Sequence, residues 1–298
     1  MTSVTAAERL RALMRGAAEG RPVLAPGVWD GLSARVAVRA GATALHASGG
    51  AIARSAGVPD LGLLGLAEMV ARIAEIVEGA GGAPVIADAD TGYGGLLNVA
   101  QAVRRYAALG VAALHIEDQP FPKRCGLLDG VAVIPSEEMT ARLRAARAAL
   151  ADTGGPLLIA RTDAVKPEGL DAATRRMRAY TDAGAEIAFI EGLETAAAME
   201  AVAHALPGVP LLLNAGMSAT GLPLPPARLA ALGYAVVIYP GDAQRAAIAA
   251  MGDAFAAILR DGDGRGVAAR MASAALRDEV VGTAAMIQAE ARWAEGRP

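Results

Sequence analysis

The pattern of apolar and polar residues repeats along the chain as a short apolar run followed by an amphipathic stretch with helical spacing. Apolar runs without polar alternation are typical of strands buried on both faces, as in parallel sheets. The pattern predicts eight strands, at residues 22–26, 43–47, 84–89, 112–117, 156–161, 186–190, 209–213 and 234–238. It predicts helices up to about residue 20 and at 31–40, 66–80, 97–109, 137–151, 171–182, 195–205, 226–232 and from after strand eight to about 259.

Eight strand-then-helix units predict a (β/α)8 barrel with parallel strands and right-handed crossovers. A doubly wound open sheet is the alternative, but no Gly-x-Gly-x-x-Gly turn follows the first strand. The glycine-rich stretches at 49–50 and 92–95 follow later strands and are predicted to be loops.

A final helical stretch, about residues 267–293, lies beyond the eighth unit. It has more apolar positions than an isolated tail helix needs, so it either packs on its own barrel or covers a neighbouring subunit. We expect one domain over 1–298, with a C-terminal helical extension at 265–298.

The composition of the chain argues against several classes of function. Apolar residues make up 54% of the chain, and 28 basic against 31 acidic residues leave a net charge of −3 without a Lys/Arg cluster. With only 3% aromatics, nucleic-acid binding is not expected. No apolar run is long enough to span a membrane, and charged residues interrupt the first twenty positions. The single cysteine, Cys125, permits no disulfide within the chain and favours a reducing, cytoplasmic location.

Carboxylates stand where predicted strands end. Asp88 and Asp90 follow one strand and share a face because strand side chains alternate; Glu117 ends the next strand, and Glu191 follows a later one. The carboxyl ends of parallel strands carry the functional residues of α/β folds. Carboxylates without Cys or His ligands favour a hard divalent ion, so Mg²⁺ is expected, with Mn²⁺ as the alternative.

Candidates for binding an anion lie at the same predicted edge. Arg161 offers a bidentate fork for a substrate carboxylate, and Ser48 with the backbone N–H groups of Gly49 and Gly50 could hold another anionic end. Asn214 ends the seventh strand. An acidic metal site with such groups predicts a small carboxylate or phosphate substrate.

Cys125 is the candidate acid/base. It lies in a polar loop directly after Lys123 and Arg124, and neighbouring cations favour the thiolate. An inert buried cysteine is the alternative.

Four other positions have open roles. His115 shares a strand face with Glu117 and either orients it or is a hydrogen-bonded core histidine; His46 could border the pocket. The segment Trp29-Asp30-Gly31 either lines the pocket or starts a helix. His204 is predicted on a surface helix and receives no role.

Five motifs carry a resemblance to a known family. They are Ser48-Gly49-Gly50, Pro59-Asp60-Leu61-Gly62, Asp88-Ala89-Asp90-Thr91-Gly92-Tyr93-Gly94, Glu117-Asp118-Gln119 and Lys123-Arg124-Cys125-Gly126. Together they resemble the isocitrate lyase/phosphoenolpyruvate mutase superfamily, and the Lys-Arg-Cys-Gly loop is similar to that of the 2-methylisocitrate lyase group.

The resemblance implies a Mg²⁺-dependent lyase that cleaves a 2-hydroxy acid through an enolate, in helix-swapped homo-oligomers arranged as a dimer of dimers. It implies the following roles. The metal lies near Asp88 and Asp90, with Glu117 and Asp60 supporting its waters; Ser48, Gly49, Gly50, Gly126, Arg161, Glu191 and Asn214 bind substrate or product; and Cys125, with Lys123 and Arg124 beside it, delivers the proton.

The chain departs from the lyase pattern at two places. Leu127 stands where the lyases continue with His, and residues 215–224 lack the acidic residue usual there. The change to Leu127 suggests a less charged substrate, such as a substituted malate. The mutases carry Lys after Glu-Asp and Asn in place of Cys, so Gln119 and Cys125 argue against phosphonopyruvate formation. Mutase chemistry on the same metal site and a catalytically lapsed, metabolite-binding barrel are the remaining alternatives.

Overall fold

Eight short parallel strands pair in chain order in the computed structural model, and the eighth pairs with the first to close a barrel. The strands are β1 Val23–Val28, β2 Leu45–Ala47, β3 Val85–Asp88, β4 Ala113–Glu117, β5 Leu157–Thr162, β6 Ile187–Ile190, β7 Leu211–Asn214 and β8 Tyr234–Tyr239. The predicted (β/α)8 barrel is therefore confirmed, and the open sheet is excluded.

Helices follow the strands along the chain. The α-helices are α1 Ala6–Met14, α2 Gly31–Arg39, α3 Gly49–Ser55, α4 Leu66–Gly79, α5 Leu96–Ala108, α6 Ser136–Leu150, α7 Val165–Glu168, α8 Leu170–Asp182, α9 Ala196–Ala205, α10 Pro226–Ala231, α11 Asp242–Asp261, α12 Ala274–Val281 and α13 Thr283–Ala294. Two 3₁₀ helices, Arg15–Glu19 and Arg265–Arg270, complete the set.

Two predicted features differ from the structure. Gly49-Gly50 is not a loop but the start of α3, because the Ser48 hydroxyl accepts the N–H of Ala51 at 3.3 Å and caps the helix. The final helical stretch is divided into a 3₁₀ helix, α12 and α13, and Gly282 lies between the two α-helices in the left-handed conformation.

The structure describes residues 4–126, 128–151, 155–216 and 222–297. Leu127 and residues 217–221, on which two of the sequence arguments depend, lie outside these ranges. The chain forms two compact units, Met1–Asp242 and Ala243–Pro298. The first holds the barrel, and the second holds most of α11 and the helices after it. A single domain with an extension from residue 265 stays a prediction.

The barrel interior is filled with apolar side chains. Ile86, Ile159, Phe189, Val236 and Ile238 form part of this inner layer, and each is almost fully buried. Leu10 of α1 belongs to the same cluster and has no exposed surface. A second, larger cluster lies between the strands and the surrounding helices. Burial on both faces is the physical reason that the strands are continuous apolar runs.

None of the helices in the described ranges is both long and apolar enough to cross a bilayer.

Candidate active site at the carboxyl end of the barrel

The predicted site residues lie at the same end of the barrel. Asp88, Glu117 and Asn214 are the last residues of β3, β4 and β7, and Ser48 and Glu191 directly follow β2 and β6. Because all eight strands are parallel, these positions share one rim, which we call the acidic mouth. It comprises the carboxylates of Asp60, Asp88, Asp90, Glu117, Asp163 and Glu191 with the cations of Lys123 and Arg161.

Asp88 is held by backbone donors. Its Oδ1 accepts the N–H of Asp90 at 3.0 Å, and its Oδ2 accepts the N–H of Gly49 at 3.2 Å. A Cβ on Gly49 would lie 2.6 Å from that Oδ2, so only glycine permits this approach. Burial alone would raise the pKa of Asp88, but neighbouring His115, Lys123 and Arg161 outweigh burial and hold the pKa below its usual range. Asp88 is therefore an ionised carboxylate.

Lys123 joins two carboxylates. Its Nζ lies 2.5 Å from Oδ1 of Asp60 and 2.9 Å from Oδ1 of Asp90, and its side chain is 4% exposed. Burial opposes its charge, yet the surrounding carboxylates raise its pKa well above the usual value, so the ammonium stays charged. Burial raises the pKa of Asp90 to about 6, against the attraction of Lys123. Asp90 also has a φ of 45°, a strained conformation outside glycine.

Glu117 is the most deeply buried acid of the mouth. Arg161 Nη1 lies 3.2 Å from its Oε2, but neither carboxylate oxygen has a hydrogen-bond partner among the described residues. Burial raises its pKa well above the ordinary value, and the attraction of Arg161 only partly offsets this. A buried carboxyl without hydrogen bonds is costly, and this one fits a ligand that would supply positive charge or donors.

Arg161 is already engaged inside the protein. Its Nε and Nη2 donate to the two carboxylate oxygens of Asp163 at 3.0 and 2.8 Å, and Nη2 lies 3.8 Å from Glu191 Oε2. The expectation that the fork is open for a substrate carboxylate therefore needs revision, because Asp163 occupies its Nε–Nη2 edge. Sequence reasoning missed Asp163, although its position two residues after Arg161 on the same strand face was a signal.

Glu191 and Asn214 lie together. The Asn214 amide Nδ2 is 3.3 and 3.2 Å from the two oxygens of Glu191, and burial raises the pKa of that carboxyl. Gly126 packs against the same group, since a Cβ there would lie 3.1 Å from Glu191 Cγ and 2.7 Å from Asp163 Oδ1.

The loop that carries Cys125 is tied to the mouth at several points. The N–H of Cys125 donates to the Asp60 carbonyl at 3.1 Å, and the thiol-bearing residue is partly buried. The Gln119 side chain contacts both backbone groups of Arg124 at 2.9 Å. The Arg124 side chain itself is exposed. These ties bring Lys123, Cys125 and Gly126 to the mouth.

Two histidines lie beneath the mouth. Nε2 of His46 and Nε2 of His115 are 3.1 Å apart, and the rings stack with centroids 5.4 Å apart. Nδ1 of His115 lies 3.5 Å from Asp88 Oδ1, so its partner is Asp88 and not Glu117. Burial lowers the pKa of His46 to about 3 and that of His115 to about 4. Both rings are therefore neutral near pH 7.

The structure also places the two other positions whose roles the sequence left undecided, Asp30 and His204. Asp30 caps α2 by accepting the N–H of Ser33 at 2.7 Å, so its segment is a helix start. His204 is exposed on α9, with Nδ1 2.7 Å from the Glu200 carbonyl.

Asp118 is a buried anchor that sequence reasoning missed. Its carboxylate accepts the Thr162 hydroxyl at 2.7 Å, the Asp163 N–H at 3.0 Å and the Tyr180 hydroxyl at 2.8 Å. It thereby fixes the end of β5, which carries Arg161. Its place directly after the candidate ligand Glu117 concealed this separate role.

The donor set fits a magnesium ion that keeps most of its waters. Across the parts of the chain that the structure describes, no three His, Cys, Asp or Glu side chains form a ready metal cage. Mg²⁺ needs only one or two protein carboxylates, with waters and substrate oxygens completing its octahedron. Asp88 is ionised, and the oxygens of Glu117 lack hydrogen bonds. Asp88 and Asp90 could hold the ion, and Glu117 and Asp60 could bind its waters.

Fold and site together define a (β/α)8 barrel with an acidic mouth whose carboxylates suit a divalent ion. Residues 10–259 match the family model described as "Phosphoenolpyruvate phosphomutase". The chain belongs to this family, as the resemblance predicted.

Two curated relatives are lyases. The 2,3-dimethylmalate lyase of Eubacterium barkeri is 40% identical over 279 residues, which cover 92% of this chain and 94% of that protein. The 2-methylisocitrate lyase of Bacillus subtilis (strain 168) is 39% identical over 222 residues, covering 74% of this chain and 72% of that protein.

Solved structures agree with this assignment. A crystal structure of 2,3-dimethylmalate lyase superimposes with a TM-score of 0.88 and 38% identity over 97% of this chain and 96% of the other. A phosphonopyruvate hydrolase, solved in complex with oxalate and Mg²⁺, superimposes with a TM-score of 0.84 and 34% identity over 96% of this chain and 99% of the other.

Proposed function

We propose that this protein is a Mg²⁺-dependent carbon–carbon lyase that cleaves a 2-hydroxy acid to a 2-oxo acid and a second carboxylate. The observation that carries the proposal is the attachment of the Cys125 loop to the acidic mouth through Lys123 and the Asp60 carbonyl. A thiol on a loop that is attached to buried carboxylates suits proton transfer to carbon. The relatives named as lyases support the same reaction class.

In the proposed reaction, the 2-hydroxyl loses its proton to a base of the mouth and the C2–C3 bond breaks. The electron pair of that bond passes to C3, giving the enolate of the second carboxylate product, and the Cys125 thiol returns a proton to C3. Mg²⁺, when bound, supplies positive charge that stabilises the developing oxyanions; Mn²⁺ would serve in the same way. Lys123 keeps the carboxylates of Asp60 and Asp90 together, and Asp163 holds Arg161 against Glu117.

We propose a substituted malate as the substrate class. The mouth has six carboxylates and two cations, so a substrate that adds fewer negative charges meets less repulsion. The apolar Leu127, at a position outside the described residues, replaces a histidine expected for a tricarboxylate. The similarity to a 2,3-dimethylmalate lyase supports this class. Ser48, Gly49, Gly50, Gly126, Glu191 and Asn214 remain the proposed binding residues.

The test is release of the 2-oxo acid with Mg²⁺, followed by NADH-linked reduction with lactate dehydrogenase. Pyruvate is the expected product from 2,3-dimethylmalate, citramalate and 2-methylisocitrate, and glyoxylate from isocitrate. We expect turnover of a substituted malate that EDTA and Cys125→Ser each abolish. Oxalate binding with Mg²⁺ should survive in Cys125→Ser, because the thiol acts on the other product. Full turnover by this variant would refute the proposed mechanism. Absence of turnover with every substrate of the panel would refute the proposed lyase activity.

Mutase chemistry is the second candidate, because the matching family model is described by that activity. It predicts a phosphorus–carbon bond formed from phosphoenolpyruvate, visible as a new ³¹P NMR signal. We expect no such signal, since Cys125 and Gln119 differ from the mutase pattern.

We also propose that the chain forms a homo-oligomer, a dimer of dimers in which C-terminal helices are exchanged, and that it acts in the cytoplasm. Large apolar side chains on α11 and α13 are exposed, among them Phe255, Met286 and Trp293, and a lone cysteine needs no oxidising compartment. Sedimentation analysis should give four times the 30.0 kDa chain mass; a monomer would refute the assembly.

A further inference from the structure

Gln119 forms a two-point bracket around Arg124. Its Nε2 donates to the Arg124 carbonyl at 2.9 Å, and its Oε1 accepts the Arg124 N–H at 2.9 Å. The side chain is 1% exposed. Its own carbonyl accepts Nη1 of Arg142 at 3.2 Å, and Arg142 is ion-paired with Glu138 at 2.8 Å. The backbone from which the Gln119 side chain extends is therefore buried and held in place.

The bracket belongs to a series of ties along three consecutive residues. Lys123 contacts Asp60 and Asp90 through its ammonium group, Arg124 is bracketed through its backbone, and the N–H of Cys125 donates to the Asp60 carbonyl. A backbone held on both sides of an α-carbon has little freedom in φ and ψ. The direction in which the next side chain, that of Cys125, leaves the loop depends on this restraint.

We propose that Gln119 is a positioning residue that holds Cys125 at the distance from the acidic mouth at which it can transfer a proton. This rests on the proposed function, which makes Cys125 the proton donor. Gln119 itself contacts no reacting atom in the proposed reaction.

The chemistry of the bracket selects glutamine. The carbonyl and N–H of Arg124 need one donor and one acceptor from the same side chain, and a primary amide supplies both. Glutamate keeps the acceptor but faces the Arg124 carbonyl with an oxygen, and methionine, of similar length, supplies neither bond. Both Gln119→Glu and Gln119→Met should therefore release the loop, while the hydrogen bond from Arg142 to the backbone carbonyl of residue 119 remains.

The test uses the fact that Cys125 is the only thiol of the chain. Carbamidomethylation by iodoacetamide, followed by intact mass, reports on this residue alone. For Gln119→Met we expect alkylation at least fivefold faster than in the wild type. We also expect kcat at least 30-fold lower, with KM and the affinity for oxalate in Mg²⁺ within threefold of wild type. A 30-fold loss corresponds to about 2 kcal/mol in activation free energy.

Tyr234→Phe is the matched control. It removes a buried hydrogen bond of 3.0 Å, from the Tyr234 hydroxyl to the Met199 carbonyl, at the amino end of β8 and away from the loop. Alkylation and kcat within twofold of wild type are expected for it.

The outcomes separate the two proposals. Unchanged alkylation and kcat in both Gln119 variants would refute the positioning role of Gln119. Loss of oxalate affinity in parallel with kcat would also refute it, because it would show general damage to the mouth. If Gln119→Met does not fold, Gln119→Glu decides by the same measurements. If the wild type turns over no substrate of the panel, the lyase proposal fails, and the alkylation rates still decide whether Gln119 holds the loop.

Discussion

The neutral histidine pair predicts a specific loss of stability in acid. His46 and His115 have folded-state pKa values of about 3 and 4 because they are buried, whereas an unfolded histidine titrates near 6.5. Between these values the unfolded chain binds protons that the folded chain does not bind. The free energy of unfolding is therefore complete above pH 6.5 and falls as the pH is lowered.

The magnitude follows from proton linkage. From pH 7 to pH 5, each unfolded imidazole gains about three-quarters of a proton, and integration gives a loss of about 2 kcal/mol for each ring. The two rings together give about 4 kcal/mol. His46→Gln, which retains a polar atom near the position of Nε2, should halve this loss.

The comparison between the two proteins isolates the histidines. Buried carboxyls with raised pKa values, such as Asp90, act in the opposite direction because the folded state binds protons there. Those contributions are present in both proteins and cancel in the difference. Urea denaturation at fixed protein concentration, in EDTA, at pH 7, 6 and 5 gives the two free energies of unfolding.

We expect wild type to lose about 2 kcal/mol more than His46→Gln over this interval. Parallel curves for wild type and His46→Gln would show that the buried ring takes up a proton in the folded state and would refute the reasoning.

Three further predictions concern the mouth. Gly126→Ala should lower turnover at least tenfold at nearly unchanged melting temperature, because its Cβ would lie 2.7 Å from Asp163 Oδ1; normal kinetics would contradict this close packing. Asp118→Asn should lower the free energy of unfolding by about 2 kcal/mol in urea titration, because it replaces an acceptor of three hydrogen bonds by a group that is partly a donor. Tyr180→Phe, which removes one of these hydrogen bonds, should lower it by about 1 kcal/mol. Mg²⁺ should raise the melting temperature of the wild type reversibly with EDTA and leave that of Asp88→Asn unchanged; an equal rise in both would exclude Asp88 as a ligand.

Much of the barrel could be predicted from the sequence because strands buried on both faces have no polar alternation. The boundaries shifted by a few residues at most, as at β2, predicted to begin at 43 and observed at Leu45. The start of α3 could not be predicted, since two consecutive glycines favour a loop. Glycine is present there because Asp88 approaches the Gly49 backbone, a contact between distant segments.

The site residues were predicted better than their partners. Carboxylates at strand ends are visible in the sequence, but the distribution of the two cations among them depends on how the loops fold. The ion pairs of Lys123 with Asp60 and Asp90 are such contacts. The pairing of His115 with His46 and Asp88 was also not predicted. His115 lies on a different strand from both Asp88 and His46, so spacing along one strand could not reveal these contacts.

The filled interior of the barrel has a kinetic consequence. Leu10 joins the inner apolar layer, and residues such as Phe189 and Val236 occupy its centre, so the barrel is not a tunnel. Substrate and both products must therefore pass through the same opening. The product seated deeper can leave only after the other has gone, and this order of release predicts competitive inhibition by the deeper product and noncompetitive inhibition by the outer one.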